Sequence, residues 1–121
     1  MTKSFQEFEV HKKAVLLTKQ VYKLLLNSNY EKEYDFKSQI KRAVFSITNN
    51  IAEGSEYNSN KQFIRFLKIS KGSCGEVRNM IVLAKELGFS DEDEIKDCYN
   101  LSIQISQELS NFIKYLNKNK D

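Results

Sequence analysis

Proline is absent from this 121-residue chain and glycine occurs only four times, so little in it obliges a helix to kink or stop. One histidine, His11, and two isolated cysteines, Cys74 and Cys98, leave neither a Cys-x-x-Cys nor a Glu-x-x-His pair. That argues against a zinc site and against a di-iron bundle. His11 is expected to be solvated or packed at a rim, and the cysteines to be reduced thiols in or near a core. No run approaches the roughly 20 apolar residues of a membrane span. Residues 1–8 lack the apolar stretch and cleavage pattern of a signal peptide, so the cytoplasm is the expected compartment, with no membrane partner. There is no glycine-rich phosphate loop after a strand and no nucleophile elbow, and Ser46 and Ser73 have no base in view. No strand pattern, repeat or low-complexity stretch is seen. The expectation is a protein with no cofactor, no metal and no catalytic residues.

What the chain does hold is apolar residues at helical spacing, in a length suited to one domain over 1–121 with a core of its own. Val10, Ala14, Leu17, Val21 and Leu24 predict a helix over 8–26, ended by Asn27, Ser28 and Asn29, whose side chains compete for the backbone. Phe36, Ile40, Ala43, Ile47 and Ile51 mark a second over 35–56, with Asp35 as its N-cap. Gly54 there is either a left-handed C-terminal residue or a point of close helix contact. A third, 59–87, opens on the capping-box pair Ser59 and Gln62, carries Phe63, Leu67, Ser70, Cys74, Val77, Ile81 and Ala84, and is closed by Gly88. Gly72 and Gly75 inside it cost up to about 1 kcal/mol each relative to Ala, and are expected where another helix or subunit comes close. A fourth, 90–117, is launched by Ser90 with Asp93 three residues on, and carries Ile95, Cys98, Ser102, Ile105, Leu109, Phe112 and Leu116. Short connections between long amphipathic segments predict an all-α, antiparallel up-down-up-down four-helix bundle. Leu16, Tyr22, Leu25, Leu26, Phe45, Ile64, Phe66, Ile69 and Leu101 fall off these stripes, which predicts a second burial surface and hence self-association.

Polar residues flank the second and third stripes. Groups near a core need hydrogen-bond partners, so Gln39, Asn50, Glu53, Ser73 and Glu76 are expected to form a structural polar network. Glu53 and Glu76 as an acid and base pair is the enzymatic alternative. Charge is unevenly placed. Between residues 37 and 78, Lys37, Lys41, Arg42, Lys61, Arg65, Lys68, Lys71 and Arg78 face only Glu53, Glu56 and Glu76. The acidic cluster from Asp91 to Asp97 is accounted for by the dipole at a helix start. The basic rows instead offer phosphate contacts. Tyr57 and Phe66 nearby are expected to pack, not to stack on bases.

Several of these segments together resemble one family. Residues Ser38 to Ala43, then Ser46 and Ile47, then Asn50 to Gly54 are similar to the signature of the bacterial four-helix-bundle family known as 23S rRNA intervening-sequence proteins. Ser59, Lys61 to Phe63, Phe66 to Ile69, Gly72, Ser73, Glu76, then Leu83 and Ala84 leading to Leu87, Gly88 and Phe89 continue the match, as do Lys13, Ala14, Val21 and Tyr22. The chain departs where the family has Trp at the place of His11, Pro at Thr48 and a basic residue near Tyr57. The missing proline implies a straighter second helix with one more backbone donor. The resemblance implies a bundle that assembles as a ring, commonly a pentamer. A related bundle, the accessory variability protein of diversity-generating retroelements, partners a reverse transcriptase and RNA, which extends to this chain only by analogy.

The expected function is a non-enzymatic homo-oligomer that binds RNA or an RNA-handling protein through Lys37, Lys41, Arg42, Lys61, Arg65, Lys68 and Lys71. The alternative is a protein-interaction scaffold that binds no nucleic acid.

Overall fold

The computed structural model describes residues 4, 5 and 8–119. Four helices account for most of them: α1 (Glu9–Leu24), α2 (Tyr34–Ser55), α3 (Asn60–Glu86) and α4 (Glu92–Lys118), with a short 3₁₀ turn at Ser28–Tyr30 before α2. No strand occurs among the described residues, and the fold is all-α. Each helix packs against two neighbours. α2 lies between α1 and α3, and α4 closes the square by touching both α3 and α1.

The helices alternate in direction, as clusters at the two ends of the bundle demonstrate. At one end Phe8 before α1, Phe63 at the start of α3 and Phe112 near the end of α4 meet with ring centres 5.2–6.0 Å apart. At the other, Tyr30, Phe36 at the start of α2 and Phe89 after α3 form a second triad at 5.3–5.7 Å. Between these plugs runs a core in which Leu17, Ile47, Leu67 and Ile105, one from each helix, are wholly excluded from water. Each such side chain contributes about 1.5–3 kcal/mol by burial.

The predicted stripes are buried, Phe36 and Phe112 only partly, but the buried arc is wider than a single stripe. Leu25, Ile64, Phe66 and Leu101, expected to face outward, are buried within the monomer. A helix with two neighbours in a square must bury more than one seam. Leu16, Tyr22, Leu26, Phe45 and Ile69 do remain exposed.

Helix ends correct several expectations. Asp35 is not the cap of α2, which starts at Tyr34 after Glu33 without a side-chain cap bond. Ser90 does not cap α4. Its hydroxyl is buried against the Tyr30 hydroxyl, and Asp91 takes the cap, accepting from the Glu94 amide at 2.9 Å while Glu94 accepts from the Asp91 amide. Ser59 does cap α3, accepting from the Gln62 amide at 3.2 Å. Gly88 ends α3 with φ 80°, and the amides of Gly88 and Phe89 bond back to Lys85 and Ala84, a Schellman closure.

Gly54 resolves as a contact point. It is helical and buried, and a Cβ there would stand 2.8 Å from Phe66 Cβ and 2.9 Å from Phe63 Cδ1. Gly72 and Gly75 are the opposite case: a Cβ at either meets nothing within 4 Å, so no helix of the same chain approaches them. Both cysteines are buried and free, and burial pushes their thiols up, Cys98 to about 11. His11, expected at a rim, is buried edge-on to Phe5 with ring centres 5.0 Å apart, and desolvation lowers its pKa below the ordinary 6.5.

Two outcomes follow. Gly54→Ala forces Cβ into backbone-proximal atoms and lowers stability by about 1–3 kcal/mol. Gly72→Ala, open within the single chain, raises the stability of the isolated chain by about 0.4–1 kcal/mol, both read by urea denaturation at protein concentrations where the chain is a monomer. Because His11 resists protonation only in the folded state, the unfolded chain gains the proton first as pH falls through 6.5. Stability therefore drops on the acid side, and His11→Phe flattens that limb of a stability-versus-pH curve.

Candidate nucleic-acid interface

The basic residues start from the same helical geometry that buries the core. On α2, Lys41 projects over α1, its Nζ 5.0 Å from the centre of the Tyr22 ring, and Tyr22 in turn lies 5.9 Å from the Phe45 ring. Both rings are about two-fifths exposed (40% and 41%), so this shelf of one cation and two aromatics is open to solvent. Lys37, one turn earlier, donates to the Glu31 carbonyl at 3.1 Å and lies 5.4 Å from the Tyr34 ring. Arg42 is exposed on α2.

On α3, Lys61, Arg65 and Lys68 are exposed at spacings of four and three, one row along the helix. The Arg65 guanidinium sits 5.7 Å from the Phe66 ring, and Phe66 stacks on Tyr57 at 5.2 Å. Phe66 packs as expected, whereas Tyr57 keeps 47% of its surface in water. Lys71 leaves that row and lines a groove between α3 and α4. The seven cations therefore occupy separate faces and form no single patch. None of them is in an ion pair, because the pairs formed among the described residues are Lys12 with Glu9, Lys13 with Glu108 and Lys85 with Glu92.

The polar set beside the α2–α3 seam divides. Ser73 Oγ donates to Ser46 Oγ at 2.8 Å, and Asn50 Nδ2 donates to the same oxygen at 3.0 Å and to the Ser46 carbonyl at 2.8 Å. Deeper in the seam, Ser70 Oγ donates to the Ile47 carbonyl at 2.9 Å. Asn50 and Ser73 thus join a real network through Ser46. Gln39, Glu53 and Glu76 do not: all three are exposed and make no side-chain hydrogen bond among the described residues. Exposed side chains are open to solvent, so burial does not force a partner on them.

Arg78 belongs to the basic excess of residues 37–78, and its setting distinguishes it from the rest. It is half-buried, with Nε donating to Ser102 Oγ at 3.0 Å and Nη2 to the Ser102 carbonyl at 2.9 Å. The hint in the sequence is its place four residues after Cys74, on the flank of the α3 stripe. Its partner on α4 cannot be read from spacing. With Lys71 it lines a groove of about 550 Å³ whose α4 wall carries Ser106, Ser110, Asn111 and Lys114. Farther along the same two helices a second groove, about 580 Å³, is bordered by Glu86, Glu92 and Asp93 with Lys85 and Lys96. Among the described residues, no group of three or more His, Cys, Asp or Glu could hold a metal ion, and no helix is long and apolar enough to cross a membrane.

The sequence pattern of a family described as 23S rRNA-intervening sequence protein matches residues 6–111. No curated protein matches the chain. Among solved structures, it is similar to a protein of unknown function from the S23 ribosomal protein family of Bacteroides thetaiotaomicron VPI-5482. That likeness has a TM-score of 0.78 and 27% identity, covering 87% of this chain and 98% of the other.

Proposed function

This chain belongs to the 23S rRNA-intervening sequence protein family, and from that premise we propose that it is a non-enzymatic, cytoplasmic, self-associating bundle that binds RNA through its cationic outer faces. The observation that carries the reading is the lack of ion pairing at Lys37, Lys41, Arg42, Lys61, Arg65, Lys68 and Lys71. Carboxylates among the described residues do not neutralise these charges, so they are available to displace counterions from a phosphate backbone. The name of the family speaks of ribosomal RNA, and the chain's net charge of +3 is compatible with such a partner.

Self-association rests on a different feature. Ile69 and Leu83 on α3 are 46% and 39% exposed, and Gly72 lies between them with nothing from its own chain within 4 Å of a Cβ. A helix of a second copy can approach closely there. A ring, with five copies favoured, would repeat the cationic faces around its circumference and turn weak phosphate contacts into avid ones. The same exposed apolar residues favour a second reading, a scaffold for protein partners on which the cations serve only solvation.

Mixed with structured RNA at about 50 mM salt, the assembled protein is expected to retain it. The logarithm of the binding constant should fall against the logarithm of salt concentration with a slope of about −0.7 to −0.9 per phosphate contacted. Absence of binding at low salt leaves the scaffold. Light scattering is expected to give a mass several times that of one chain, and Ile69→Lys to bring it back to the single-chain mass.

A further inference from the structure

We propose that the cationic end of the α3–α4 groove is a phosphate seat, with Arg78 as its fixed donor and Lys71 and Lys114 as its flanking charges. The seat stands on its own geometry and does not depend on the RNA reading.

Arg78 is held by its own helix's neighbour and not by an acid. Ser102 takes its Nε and one Nη2 bond, Cys74 Sγ lies at 4.0 Å, and no carboxylate among the described residues pairs with it. A guanidinium carries five donors in a planar fork, so these contacts through Nε and Nη2 orient the group and leave its Nη1 donors and its charge uncommitted. A half-buried cation with no counter-charge is costly, and an anion drawn from solvent offsets that cost. The groove beside it is lined by Ser106, Ser110 and Asn111, each able to donate, and by Lys71 and Lys114, with no carboxylate among the lining residues. The neighbouring groove along the same two helices carries Glu86, Glu92 and Asp93 instead, so the carboxylates lie away from the Lys71 end. Phosphate fits this donor set better than a carboxylate does, because it offers several oxygens to a fork and two point charges at once.

Gly75 supplies an independent sign. It follows Lys71 by four residues and precedes Arg78 by three, so it sits between them on one helical face. A Cβ there meets nothing within 4 Å, and no positive φ requires glycine, so bundle packing does not explain a residue that costs about 1 kcal/mol in a helix. Having no side chain, it adds no bulk to the face that carries Lys71 and Arg78.

The phosphate can be a free one or one in an RNA backbone, and two measurements on the full chain separate these sources. In the first, inorganic phosphate is titrated at constant ionic strength while the Arg78 side-chain Nε–Hε resonance is followed. In the second, a short RNA duplex is titrated by fluorescence anisotropy at low salt. Gly75→Leu, whose side chain leans over the preceding turn toward Lys71, and Lys114→Gln are the variants. Both leave the Ser102 bonds intact, so stability should be unchanged or raised. A saturable shift in the wild type, weakened about tenfold by each variant, is the expected result. If RNA affinity falls in parallel, the seat takes a backbone phosphodiester; if only the phosphate response falls, it takes a free phosphate group. No saturable shift, or one that neither variant alters, overturns the seat, even where RNA still binds through the α2 and α3 rows. Lost RNA binding with an intact phosphate response overturns the RNA reading and leaves the seat standing.

Discussion

The close approach of α2 to α3 at Gly54 sets the spacing that the rest of the bundle uses. With no side chain at that position, α2 backbone lies directly against Phe63 and Phe66. Farther along the same seam the two helices are near enough for Ser70 to reach the Ile47 carbonyl and for Ser73 to reach Ser46. Those bonds add about 0.5–1.5 kcal/mol each and fix rotation about the helix axes. They require the separation that Gly54 permits, and any larger residue there would pry the seam open from its end.

Phe63 links this contact to the aromatic plug made with Phe8 and Phe112, so the α2–α3 spacing is transmitted to α1 and α4. The opposite plug is tied by polar groups as well. Tyr30 meets Ser90, Asn29 reaches the Phe89 carbonyl at 3.1 Å, and Asn27 reaches Glu94 at 2.9 Å. The outer faces, by contrast, carry few internal obligations. Lys61 and Lys68 are exposed and Arg65 touches the interior only where it lies over the Phe66 ring, so binding chemistry can reside there at little cost to the fold.

Helix positions were legible because stripes such as Val10, Ala14, Leu17 and Val21 repeat a period that only a helix can bury on one side. The caps were less so. Ser90 and Asp91 are both good cap residues, and the choice fell to Asp91 because Tyr30, 60 residues away, claims the Ser90 hydroxyl. Gly54 carried two sound readings until Phe63 and Phe66 stood opposite it. Stripe arithmetic also left Ile64 and Leu101 outside, since it counts one seam per helix and a square bundle has two. Basic residues were legible as a set, but their faces were not. Arg78 shows why: its meaning lies in Ser102 on another helix, and no local spacing encodes that pairing.

The order of the helices around the square has a kinetic side. α1 meets α2, α2 meets α3 and α3 meets α4 across short loops, so three of the four seams join segments adjacent in the chain. Only the α1–α4 seam is non-local, and its ion pair between Lys13 and Glu108 spans 95 residues. Loop-closure entropy grows only slowly with length, and the largest single closure is at that seam. The chain can thus zip up as successive hairpins at little entropic cost, and the cooperativity of the finished bundle is decided by a single act of closure between its first and last helices.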